Sequence, residues 1–176
     1  MTGKKKVLVF SSSITRGINT NGFNKQLHNC EAKFHKFHGK TAHDIKKYIP
    51  PHIAEGHPDS VIIVAGGNDV PIGRFDTVPL SIIADDITEA ALLCKTEGVK
   101  HVYVSSVLPR SSCYFQARRN KLNNMLKERC RINGFIYIGN ENIILKKHIG
   151  YDGVHLNKVG SSLLCRNLYN SLNTNL

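Results

Sequence analysis

The run Val61-Ile62-Ile63-Val64-Ala65 restricts this chain more than any other feature. It is rich in β-branched side chains, which favour a strand over a helix. A strand on a half-solvated sheet alternates apolar with polar residues, because successive side chains point to opposite faces. This run does not alternate, so both of its faces must be covered. A central strand of a parallel sheet, with helices on either side, meets that requirement.

Lys6–Phe10, Lys33–Phe37, His101–Ser105 and Phe135–Ile138 read as further strands beside Ser60–Ala65. Helical patterns lie between them. Ile83, Ile87, Ala90, Ala91 and Cys94 share one face of Leu80–Glu97. Phe115, Leu122, Met125 and Leu126 mark a helix over Tyr114–Ile132, ended by Asn133-Gly134. Thr41–Tyr48 is a short helix expected to stop at Pro50-Pro51, and Lys158–Leu172 closes the chain. The alternation predicts one domain spanning residues 1–176, a three-layer α/β/α sandwich of flavodoxin-like kind with a five-stranded, mainly parallel sheet.

At 176 residues, 41% hydrophobic and 21% charged, the chain is neither disordered nor a disulfide mini-protein in composition. No apolar run approaches the ~18 residues of a membrane helix. Val7-Leu8-Val9-Phe10, behind the basic start, is too short for a signal-peptide core. The five Cys are scattered, without a CxxC pair, and there is no Asn-x-Ser/Thr sequon. The expectation is a reduced, intracellular, cytoplasmic protein. The net charge of +11 is uneven, basic over residues 1–58 and 100–176 and acidic over 59–99. Such a chain suits a nucleic acid or an anionic membrane surface, or is a basic protein with solvated lysines. No zinc finger, KH-type loop or RNA-recognition aromatic signature accompanies the charge.

In a parallel α/β sheet, the loops at the carboxyl ends of the strands build the site. The first is Ser11-Ser12-Ser13-Ile14-Thr15-Arg16-Gly17, whose hydroxyls can cap a helix, cradle phosphate or supply a nucleophile. Gly39, in Phe37-His38-Gly39-Lys40-Thr41, either frees an N–H for a ligand or is an ordinary turn glycine. Gly66-Gly67-Asn68-Asp69 follows the third strand and is either a plain turn or a place for an amide donor to an oxyanion. Val107-Leu108-Pro109-Arg110 follows the fourth and is expected to line a substrate entrance, with Gly67 and Arg110 as candidate substrate-binding residues and Arg110 the one to meet an anionic group. Asp152 and His155 stand three residues apart across Gly153. That spacing lets a carboxylate orient an imidazole, though a His packed against the next helix reads equally well.

Taken together and in order, these pieces resemble the SGNH, or GDSL-like, hydrolase superfamily from Val7 to about Leu172. The resemblance implies Ser13 as nucleophile, His155 as general base and Asp152 as its orienting partner. It also implies an oxyanion hole from Ser13 N–H, Gly39 N–H and the Asn68 amide, with no metal and no cofactor. The family's first block usually reads Gly-Asp-Ser, whereas Ser12 stands here in the place of the Asp, a loss of bracing for the loop. The wording of Phe37–Ala42, Val64–Asp69 and Asp152–Asn157 further resembles esterase domains of animal retroelement proteins, including LINE-type ones. That implies a small acyl ester, acetyl above all, as substrate, and basic flanks turned to nucleic acid or an anionic lipid surface.

Two other features compete for attention. His35, His38 and His43 crowd together, but a strand puts the first two on opposite faces and no carboxylate or Cys set stands beside them. Arg118, Arg119, Lys121, Lys127, Arg129 and Arg131 form a basic helix, either a solvated face or a phosphate-binding one. A catalytically weak binding module and a phosphate-binding protein using Ser11–Ser13 remain the alternatives to an esterase. No GxxxxGK[ST] or GxGxxG supports the phosphate-binding one.

Overall fold

The computed structural model describes residues 3–70 and 78–175. Strand β1 (Lys5–Ser11) leads through a 3-10 turn at Ser13–Thr15 to α1 (Thr20–Gln26) and β2 (Cys30–Lys36). Then come α2 (Ala42–Gly56), β3 (Ser60–Val64), α3 (Leu80–Thr96), β4 (His101–Ser105) and α4 (Cys113–Asn133). The chain finishes with β5 (Ile136–Ile138), the single turn α5 (Leu145–His148) and α6 (Lys158–Asn175). The strands form one sheet in the order β2-β1-β3-β4-β5, parallel at every pairing.

The apolar run of β3 divides between two cores. Val61 and Ile63 join Leu8, Phe10, Val102 and Val104 beneath α2, α3 and α4. Ile62 and Val64 join Val7, Val9 and Tyr103 on the opposite face, under α6 with Leu164, Leu168 and Leu172. Each such side chain contributes about 1.5–3 kcal/mol on burial. The strand is therefore held from both sides, and the architecture is the expected three-layer sandwich.

Two elements depart from expectation. Helix α2 runs through Pro50 and Pro51 to Gly56 rather than stopping at Tyr48. Each proline removes one backbone bond and costs about 3 kcal/mol in a helix interior. Ile45, Ile49 and Ile53 recur every four residues and are all buried, while Pro51 is exposed and Pro50 half-buried. Burial of Ile49 and Ile53 offsets much of the proline cost, and the Thr41–Asp44 capping box anchors the start. Helix α1 was not expected; it buries only Phe23 and so shows no periodic face. Its start is made by Asn19, whose side chain accepts the Gly22 N–H at 3.1 Å.

The strand order places β1 between β2 and β3, so consecutive connections leave β1 in opposite directions. The carboxyl ends of β1 and β3 open side by side at this switch point, where parallel sheets bind ligands. Among the described residues, no helix is long and apolar enough to cross a membrane.

Candidate active site

The three serines at and after the end of β1 turn to three different tasks. Ser11 Oγ lies 2.5 Å from Thr15 Oγ1, inside the loop. The Ser12 N–H donates to the Val64 carbonyl at 3.2 Å and ties the loop to β3, while its side chain caps nothing. Ser13 opens the 3-10 turn, and its Oγ lies 3.0 Å from His155 Nε2. His155 Nδ1 lies 2.7 Å from Asp152 Oδ2.

Asp152 and His155 are set by a compact loop before α6. Asp152 Oδ1 accepts the N–H groups of Val154 at 3.0 Å and His155 at 2.9 Å. Gly153 has φ of +69°, and a Cβ there would meet the Ser111 side chain, so this position favours glycine. Ile149 and Leu156 pair across the base of the loop. The backbone N–H groups of His155 and Val154, followed by the His155 ring, hold the Asp152 carboxyl well below the usual carboxylate range. Asp152 is thus an anion that accepts the Nδ1 proton, an assignment made from the hydrogen bonding, and the Nε2 lone pair faces Ser13. Arg16, on the turn that carries Ser13, places its guanidinium 3.6 Å from Asp152 Oδ2. The sequence reading passed over Arg16, and its position three residues after Ser13 was the only signal for it. Both partners are exposed, so the pair itself stabilises little.

The loop after β3 is clamped to the loop after β2. Asn68 Nδ2 donates to the Lys40 carbonyl at 2.9 Å. Asp69 accepts the Ala42 N–H at 2.9 and 3.0 Å, and burial pushes its carboxyl up to about 6. An amide nitrogen carries two protons, so Asn68 keeps one beyond its bond to Lys40. Gly39 sits in the turn after β2 with φ of +71° and open space around its Cβ position, so the backbone conformation favours glycine there. Arg110, expected at the entrance, is only 8% exposed. It donates to Asn68 Oδ1 at 2.8 Å and lies over the Phe115 ring. A Cβ at Gly67 would come 2.9 Å from its guanidinium, so Gly67 lets the arginine approach.

The other candidate residues are dispersed. His35 stacks on His52 at 4.0 Å between ring centroids, and His43 meets Asp86 at 3.2 Å. On α4, Arg129 pairs with Asp85 and Arg131 with Glu128. Among the described residues, no group of three or more His, Cys, Asp or Glu is placed to hold a metal.

A hydroxyl, an imidazole and a carboxylate in series can deprotonate the hydroxyl for attack on a carbonyl. No protein-family model matches the chain, and no curated protein sequence matches it. Solved structures do match. A GDSL-like lipase from Bacteroides thetaiotaomicron has a TM-score of 0.81 at 21% identity, covering 98% of this chain and 89% of that one. The native aryl esterase of M. smegmatis has a TM-score of 0.82 at 18% identity, over 98% and 100%. A carbohydrate acetylesterase from Sinorhizobium meliloti has a TM-score of 0.82 at 17% identity, over 98% and 100%. The fold of this chain is therefore the α/β sandwich of those proteins.

Proposed function

We propose that this chain is a serine esterase of the SGNH type, with Ser13 as nucleophile, His155 as general base and Asp152 as the group that orients it. The observation that carries this reading is the continuous relay from Ser13 Oγ through His155 to Asp152, at 3.0 and 2.7 Å. In this mechanism His155 Nε2 takes the Ser13 proton as Oγ attacks the ester carbonyl. The oxyanion receives the N–H groups of Ser13 and Gly39 and the second proton of the Asn68 amide. Donors fixed in advance are each worth roughly 3 kcal/mol of barrier in such sites. The alcohol leaves with the proton from His155, and water, activated the same way, releases the acid from Ser13. Asp152 stays ionised throughout and steadies the imidazolium.

Acetyl is the acyl group of this proposal. It is supported by the acetylesterases among the solved structures of like fold, and the resemblance of Phe37–Ala42, Val64–Asp69 and Asp152–Asn157 to retroelement esterase domains points the same way. The basic flanks then suit a setting on nucleic acid or an anionic lipid surface. Hydrolysis of p-nitrophenyl acetate tests the reading. Ser13→Ala should abolish turnover and labelling by a fluorophosphonate probe while leaving the unfolding midpoint near that of the parent. Undiminished turnover in that variant would overturn the assignment. The second reading, a weakly catalytic module that binds polyanions, draws support from Ser12, whose side chain does not cap the 3-10 turn that carries Ser13. Salt-dependent binding to RNA without ester turnover would favour it.

A further inference from the structure

A groove of about 580 Å³ lies between α1 and α6, with Gly17, Gln26, Lys158, Arg166, Tyr169 and Asn170 in its wall. Its walls begin close to the catalytic loops along the chain, since Gly17 follows Ser13 by four residues and Lys158 follows His155 by three. Both walls are free of acid, because residues 12–30 and 153–176 contain no Asp or Glu. Lys158 and Arg166 are exposed, and among the described residues neither pairs with a carboxylate. Lys36 adds a third positive charge at this wall, its Nζ donating to the Ile18 carbonyl at 2.9 Å. The basic helix α4 differs, since Arg129 and Arg131 are spent on Asp85 and Glu128.

The spacing of the cations describes the ligand. Lys158 and Arg166 stand eight residues apart on α6, about 12 Å along the helix axis, so a single phosphate does not reach both. A chain that carries phosphates at intervals does. Tyr169 is three residues beyond Arg166, on the neighbouring turn, and supplies a ring for stacking. Gln26 and Asn170 add side-chain amides, which both donate and accept. Cations for a backbone beside an aromatic ring for bases are the parts of a single-strand groove. A lipid surface instead takes up exposed apolar side chains, and the apolar residues Ile18 and Phe23 of this wall are buried. We infer that the groove between α1 and α6 binds single-stranded nucleic acid, with phosphates on Lys158 and Arg166 and a base on Tyr169. The site uses none of Ser13, His155 and Asp152, so it stands independently of the esterase reading.

Fluorescence anisotropy of a labelled oligouridine of about 12 nucleotides tests the site. Arg166→Glu and Tyr169→Ala should each weaken binding about tenfold, and Arg166→Glu should also flatten the salt dependence. Ser162→Glu puts a carboxylate into the same wall at an exposed position and should weaken binding as strongly. Lys121→Glu, on α4, changes the net charge as much as Arg166→Glu does, yet should leave affinity within about twofold. A 4-thiouridine oligonucleotide should crosslink to peptides of α1 and α6. The variants should keep the parental Tm and the parental turnover of p-nitrophenyl acetate. A parent without turnover but with groove-dependent binding would overturn the esterase reading alone. Equal losses in Lys121→Glu and Arg166→Glu, full binding by Ser162→Glu, or crosslinks confined to other elements would overturn the inference. So would an Arg166→Glu variant that loses anionic vesicles of phosphatidylserine but keeps the oligonucleotide.

Discussion

Asp152 and Asp69 are both carboxylates at the carboxyl edge of the sheet, yet their surroundings move them in opposite directions. Asp152 accepts two backbone N–H groups and the His155 ring and stays ionised. Asp152→Asn keeps the shape but loses the charge that stabilises the imidazolium. It should lower kcat on p-nitrophenyl acetate by about 10³–10⁴-fold, and an undiminished kcat would remove Asp152 from the relay. Asp69 is raised to about 6, chiefly by burial. Between about pH 4 and pH 6 the folded chain holds a proton there that the unfolded chain has released. Stability should therefore fall as pH rises across that window, and this contribution should level off above it, a change on the order of 3 kcal/mol. Urea unfolding of Asp69→Asn against the parent checks the sign, because the variant should lack this fall. The Asp152–His155 contact was legible in the sequence, because Asp152-Gly153-Val154-His155 is a local turn whose spacing sets its own geometry. Which of three serines faces His155 was less so, since Ser13 and His155 stand 142 residues apart. The turning of Arg110 inward onto Asn68 was not legible, because that contact depends on the close approach allowed by Gly67.

Helix α2 shows how packing overrides a local rule. Two consecutive prolines predict a stop, but the isoleucine stripe continues past them into the core. Ile53→Ala should therefore cost about 2–5 kcal/mol in chemical unfolding, as for a buried core residue. A loss near zero would mean that the helix ends where the prolines begin. Helices α3 and α4 were legible, because their buried residues recur with helical period and Gly134 marks the end of α4 at φ +70°. Helix α1 was not, since one buried phenylalanine makes no period. Strand β2 begins at Cys30, three residues before the predicted Lys33. Its first half, Cys30-Glu31-Ala32, lacks the aromatic residues that marked the rest, and pairing with Lys5, Lys6 and Val7 extends it.

Across the whole molecule, the acidic stretch seen in the sequence does not remain a free acidic surface. Asp86 and Glu89 pair with Lys46, Asp85 with Arg129 and Asp59 with Lys100, so this stretch draws its cations from the basic flanks. The net charge of +11 remains, carried by cations outside these pairs. The chain should bind anionic vesicles or single-stranded RNA at low salt, and raising salt from about 50 to about 200 mM should release it, since such binding rests on counterion release. Binding that survives high salt would point to specific contacts instead of this field.

The order of elements, the two-sided burial of β3 and the short motifs at the strand ends were all present in the linear chain. Period, β-branching and turn chemistry act between near neighbours and need no knowledge of the fold. The relay from Ser13 to Asp152, the persistence of α2 through its prolines and the inward turn of Arg110 onto Asn68 arose only when distant segments packed together. Each depends on contacts between residues far apart in sequence, where local spacing carries no information about distance.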